Sequence, residues 1–284
     1  MPDFPIIDAH VHLFDPANLP YTWLGGVPAI AKAHLPADFD RLTAPVKVDG
    51  IVFVEVDVDD PQHLDEARWV ESLGESEPRL RGLVAGMPLE RGPSIEPDIA
   101  EYAELPRARG VRRLIQKYAD QPGWCLRPEF VAAVKLLPKY KLSFDLCIFH
   151  NQMADTIELV RQCPDVSFIL DHIGKPGIRE GLTQPWRSQM RELAELPNVI
   201  CKVSGVVTEA DHKAWTYDQV APYIAHSIDT FGFDRVAFGG DWPVSELATR
   251  YANWVEVVDR VVAGASEEDL RKLYRDNAIS FYRL

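Results

Sequence analysis

The chain has 284 residues, 46% of them hydrophobic and 26% charged, and a net charge of -13. That length and composition suit a globular protein with a large core, and the acidic balance argues against nucleic acid or an anionic membrane as a partner. No stretch approaches 18 apolar residues, so no membrane-spanning helix is expected.

The four cysteines, Cys125, Cys147, Cys163 and Cys201, form no CxxC pair and read as free thiols in a reducing compartment. The opening Met-Pro-Asp-Phe-Pro has neither a basic n-region nor an apolar h-region. A soluble cytoplasmic protein is the expectation.

In chain order, the first strand is 5–12, ending in His10 and His12. Residues i and i+2 of a strand point to one side, so the two imidazoles project together where the strand runs out. That arrangement suits gripping a metal ion or flanking a reacting carbonyl. A long loop, 13–36, follows, punctuated by prolines and glycines. It carries Tyr21 and Trp23 and reads as a pocket wall or lid. A short helix is predicted at 37–42.

The second strand, 50–57, is a continuous apolar run suited to burial on both faces. Glu55, near its end, is a carboxylate in a dry place. A helix at 62–73 precedes the third strand, 80–89. Ser94 is a plausible N-cap for a helix reaching about residue 105. The fourth strand is 110–116, and a helix at 128–139 has Pro128 in its first turn. Strands at 142–148, 166–172, 198–205 and 235–239 alternate with helices at 155–163, 186–196 and 217–231. Helices at 251–262 and 267–281 close the chain, the last with Ser266 as N-cap and Asp269 at N3.

Eight strands alternating with helices mean parallel pairing through right-handed crossovers. The expected fold is therefore α/β, a single-domain (β/α)8 TIM barrel over 1–284, with an open doubly wound sheet as runner-up. No GxGxxG turn follows the first strand and no Walker sequence occurs.

Barrel enzymes carry their sites at the C-terminal strand ends. Those ends collect His10 and His12, Glu55 and Asp57, Gln116 and Lys117, then His150, Asn151 and Gln152. Asp171, His172, Lys202, Ser204 and Asp241 complete the set. The strand N-termini carry little comparable polarity. His34, His63, His212 and His226 fall in loops or helices and take no role. Alternation points Asp171 to the side opposite His172, a structural place. Lys202 is read as neutralising Glu55 or meeting substrate. Trp242, beside Asp241, is expected to raise its pKa by desolvation.

The ordered set of HxH, His172 and Asp241 resembles the amidohydrolase superfamily. The stretches IIDAHVHLFDP, GVRRLIQ, FILDHIGKP and VAFGGDWPVSEL look like the amidohydrolase-2 branch, with its L-fuconolactonase and L-rhamnonolactonase-like proteins and its pyrone-dicarboxylate lactonases. The resemblance runs nearly to the terminal NAISFYRL. It implies His10, His12, His172 and Asp241 as the catalytic set, with Asp241 activating the hydrolytic water. It makes a metal optional: none strictly required, or one divalent ion, zinc first, on His10, His12 and Asp241. Lys117, after the fourth strand, is the candidate for a carboxylated-lysine bridge; the strand end Ile115-Gln116-Lys117 does not match that pattern, so a binuclear site is not expected.

The expected reaction is the opening of a sugar lactone, an aldono-1,4- or 1,5-lactone, by water that Asp241 activates. Substrate contacts are expected from Trp23, Glu55, Gln116, Lys117, His150, Gln152, Lys202 and Trp242. A dicarboxylate would call for several arginines at strand ends. Arg112 and Arg113 fall early in the fourth strand, so at most one would face the barrel, below the site. The alternatives are a pyrone-dicarboxylate lactonase, a metal-dependent amidohydrolase or decarboxylase of the same fold, and, last, a non-catalytic metabolite-binding barrel. The partner is a small-molecule sugar lactone, with no nucleic acid or membrane, and a homo-oligomer is allowed.

Overall fold

The strands form where β-branched and large apolar residues run together: β1 (Ile6–Val11), β2 (Val48–Val54), β3 (Leu80–Gly86), β4 (Ala108–Leu114), β5 (Ser143–Cys147), β6 (Phe168–Leu170), β7 (Val199–Val203) and β8 (Val236–Phe238). The computed structural model describes residues 2–284. All seven neighbouring pairs are parallel and in sequence order. The ring closes just beyond β8, where the Asp241 amide donates to the His10 carbonyl and the His12 amide to the Trp242 carbonyl. This is the (β/α)8 barrel.

Outside the ring lie α1 (Pro36–Thr43), α2 (His63–Leu73), α3 (Glu96–Ala103), α4 (Pro128–Val134) and α5 (Met153–Gln162). They continue as α6 (Trp186–Ala194), α7 (Tyr217–Phe231), α8 (Tyr251–Val261), α9 (Glu267–Arg271) and α10 (Asn277–Tyr282). Among the described residues, no helix is long and apolar enough to cross a membrane. Ser266 caps α9 by accepting from the Asp269 amide. Ser94 does not cap α3: its hydroxyl donates to the Arg91 carbonyl, and the helix starts at Glu96. The last helix is not continuous, because a π-helical turn, Lys272–Asp276, separates α9 from α10.

The barrel interior is layered. At its N-terminal end Ile7, Val52, Val84, Ile169 and Ala237 cluster with Ala278 and Tyr282 of α10, so the last helix plugs the bottom. Above this lies a buried layer of charge. Lys202 pairs with Asp145 at 2.7 Å and Asp171 at 2.8 Å. Arg112 pairs with Glu55 at 2.7 Å and Asp171 at 3.2 Å. All five side chains are 5% exposed or less. Unpaired charges at such depth cost several kcal/mol each, so mutual pairing is what permits them. This layer is the floor on which the polar strand ends stand.

Candidate active site

At the C-terminal mouth lies a cavity of about 330 Å³, lined by His12, Trp23, Asp57, Arg112, Gln116, Lys117, Cys147, His172, Lys175, Thr208 and Asp241 among others. A wider basin of about 580 Å³ adjoins it and shares Lys175 and Thr208.

The β1 histidines reach the interior through a register shift. Between Asp8 and Val11, β1 advances three residues while β2 advances two. Such a bulge re-aims side chains. Asp8 bonds to the Tyr251 hydroxyl of α8 and the Gly240 amide, while His10 meets the buried charge layer. His12 Nδ1 donates to the Val54 carbonyl at 2.7 Å, which leaves its Nε2 bare. His10 Nδ1 stands 3.3 Å from the Lys202 ammonium and 3.5 Å from Asp171.

Asp241 and His172 are set by strained backbone. Asp57 (φ 56°), His172 (53°), Ile173 (50°), Lys175 (44°) and Asp241 (54°) are five of the seven non-glycine residues with positive φ among those described. Left-handed backbone costs such residues about 1–3 kcal/mol each and gathers where function demands it. Gly205, itself at φ 60°, makes room for the pair. A Cβ there would stand 2.3 Å from Asp241 Oδ2 and 2.7 Å from His172 Nδ1. His172 Nδ1 is held by Ser204, 3.0 Å from its Oγ and 3.2 Å from its carbonyl.

Burial sets most of the ionisation here. It pushes His172 down to about 4, against the pull of Asp241, and pushes His10 well below its ordinary value. Both imidazoles are neutral near pH 7. Asp241 goes the other way from the sequence expectation. Burial beside Trp242 would raise its carboxyl, but His172, His12 and His10 outweigh it and hold the group below the usual carboxylate range. The error was to count the apolar neighbour and not the three imidazoles.

A metal ion fits this donor set. His10 Nε2, His12 Nε2 and Asp241 Oδ1 lie 3.2, 3.4 and 3.7 Å apart. The point equidistant from the three corners of that triangle is about 2.0 Å from each, within the roughly 2.0–2.2 Å of zinc–nitrogen and zinc–oxygen bonds, so these three residues would hold such an ion. His10, Asp171 and His172 form a second group with ligand atoms within 4.8 Å of one another.

Of the sequence-predicted residues, Trp23, Gln116 and Lys117 line the cavity with His12, His172 and Asp241. His150 lines the adjoining basin. Others lie elsewhere. Glu55 is buried beneath, paired with Arg112 and not with a lysine. Lys202 neutralises Asp145 and Asp171 and not Glu55. Gln152 is tied to the Ile115 carbonyl and the Phe149 amide. Trp242 is fully buried against His34 and Phe39. Asp171 faces the interior because β6 stops at Leu170 and strand alternation no longer applies. Sequence reading also missed Arg112 as cavity lining and Lys175 altogether. An arginine inside a core strand was the available signal for the first.

The amidohydrolase family model matches residues 7–284. An L-fucono-1,5-lactonase from Burkholderia ambifaria is 29% identical, over 98% of this chain and 95% of its own. An L-rhamnono-gamma-lactonase from Scheffersomyces stipitis is 24% identical over the full length of both. Among solved structures, an amidohydrolase from Burkholderia multivorans with bound zinc superposes with a TM-score of 0.88 at 29% identity, covering 99% of this chain and 100% of the other.

Proposed function

This chain is a member of the amidohydrolase family, and from that premise we propose that it is a lactonase that opens sugar lactones with water activated at Asp241. The observation that carries the reading is the division of the Asp241 carboxylate. Oδ1 faces the Nε2 atoms of His10 and His12, while Oδ2 turns toward His172 across the space that Gly205 leaves clear.

The chemistry follows from those positions. Held ionised, Asp241 accepts the proton of the attacking water as its oxygen bonds to the lactone carbonyl carbon. When the ring C–O bond breaks, Asp241 returns the proton to the departing ring oxygen, and a hydroxy acid is left. A carboxylate is a weak base for ordinary water. The donor set supports a zinc ion on His10, His12 and Asp241, which would lower the pKa of that water and polarise the carbonyl. His172, fixed by Ser204, stands 4.0 Å from Asp241 Oδ2. The relatives named as L-fucono-1,5- and L-rhamnono-gamma-lactonases support a sugar lactone. So does the cavity wall: Trp23 ties its indole N–H to the Val56 carbonyl and Gln116 brings an amide.

The test is a panel of 1,4- and 1,5-aldonolactones assayed by proton release, with the protein as purified, chelated and reloaded with zinc. We expect turnover of at least one sugar lactone and one zinc per chain by mass spectrometry. Asp241→Asn should lower kcat by on the order of 10³-fold or more. No turnover of any lactone by the zinc-loaded protein would overturn the reading.

A further inference from the structure

The cations of the cavity are not equivalent. Arg112 is neutralised by Glu55 and Asp171, and Lys117 by Asp57 at 2.5 Å. Lys202 lies below, between Asp145 and Asp171. Lys175 differs. Its ammonium donates to Gln116 Oε1 at 2.6 Å and stands 5.4 Å from the Phe149 ring centre; the Glu209 carboxylate faces it across the basin but forms no ion pair with it.

The partner amide is oriented by this contact. Gln116 Oε1 accepts both from Lys175 and from the Cys147 thiol at 3.5 Å, so its NH2 is the free end. An ammonium has three N–H donors and an amide two. After the one bond between them, the Lys175–Gln116 wall offers unused donors, an ammonium that Glu209 offsets without an ion pair, and no free acceptor.

The backbone is built to present this wall. His172, Ile173, Gly174 and Lys175 run at φ 53°, 50°, 73° and 44°, a left-handed stretch that brings both His172 and Lys175 to the cavity. It is pinned by the Trp186 indole donating to the Ile173 carbonyl and by the His150 amide donating to the Lys175 carbonyl. Gln116 follows β4 and Asp241 follows β8, which are diametrically opposed in an eight-stranded ring. A substrate with its carbonyl at Asp241 therefore puts its far end against Lys175 and Gln116.

We propose that Lys175 and Gln116 form a carboxylate-binding wall, and that the preferred substrate is a sugar lactone bearing a carboxylate at the end remote from the ring carbonyl. A hydroxymethyl end would leave the ammonium without a direct ion-pair partner and several donors unused, whereas a carboxylate offers two acceptor oxygens and the opposite charge. This rests on the lactonase reading, and it adds the substrate class.

The experiment compares a hexono-1,4-lactone with the hexaro-1,4-lactone of the same configuration, which differ only in hydroxymethyl versus carboxylate. Wild type and Lys175→Gln are assayed for kcat and KM. Calorimetry with the two open-chain acids measures binding independently of turnover. We expect wild type to favour the carboxylate-bearing lactone. Lys175→Gln should erode that preference by about 10- to 100-fold, chiefly through KM, the range set by loss of one charge-assisted hydrogen bond. Equal losses on both lactones, or no wild-type preference, overturn the wall while leaving the lactonase reading intact. If wild type opens neither these lactones nor any of the aldonolactone panel but binds the dicarboxylate in a Lys175-dependent way, the wall stands and the lactonase reading falls. If it opens none of them and binds neither acid, both fall.

Discussion

Substituting Gly205 by alanine tests whether the approach of Asp241 to His172 is the working geometry. Two costs are separable. The first is backbone: Gly205 sits at φ 60° and ψ 9°, where an alanine costs about 1–2 kcal/mol. For a chain of this size that lowers the Tm by a few °C. The second is steric. The new Cβ would stand 2.3 Å from Asp241 Oδ2 and 2.7 Å from His172 Nδ1. Relief to an ordinary contact requires a displacement of about 1 Å, and a misplacement of that size can cost about 100-fold in rate. Gly123 is the control. Its backbone is nearly the same, φ 74° and ψ 8°, and nothing lies within 4 Å of a Cβ there. Gly123→Ala should therefore show the stability loss without the rate loss, whereas Gly205→Ala should show both. The assay is lactone turnover beside thermal denaturation of both variants. Gly205→Ala within 3-fold of wild-type kcat/KM would refute the reasoning, because the carboxylate would then work from a displaced position.

Two further outcomes follow from the buried charges. Lys202→Met should destabilise by about 3–5 kcal/mol in urea unfolding, because it leaves Asp145 buried without its cation and Asp171 with Arg112 alone; a loss under about 1 kcal/mol would show that the charge layer does not depend on that pairing. His226 tests the acid side of the stability curve. Burial lowers its folded pKa below the ordinary value, so as pH falls through about 6.5 the unfolded chain takes a proton that the folded chain refuses, and stability is lost. His226→Gln, which keeps a donor for the Arg187 carbonyl, should show a smaller drop in Tm between pH 7.5 and 5.5 than wild type. An unchanged drop would place the acid sensitivity elsewhere, with His10, His34 or His172, whose folded values are also lowered.

The sequence by itself determined the fold class and the address of the site. Alternating apolar strands and amphipathic helices leave few ways to bury both faces of a sheet, and a barrel is the one that eight such units reach. Polarity confined to one end of those strands marked the mouth, and His12, His172, Asp241, Trp23, Gln116 and Lys117 all lie there. Tertiary structure decided what linear spacing cannot express. Whether Glu55 or Lys202 meets solvent or another charge depends on strands far apart in sequence, and packing turned both inward, onto Arg112, Asp145 and Asp171. The inward turn of His10 came from a bulge set by pairing with β2, and the lining role of Lys175 from a left-handed run that no local propensity favours. The low pKa of Asp241 came from three imidazoles delivered by β1 and the turn after β6. Side-chain alternation is a local rule and reads well from sequence; the pairing of buried charges is a property of the closed ring, and only folding fixes it.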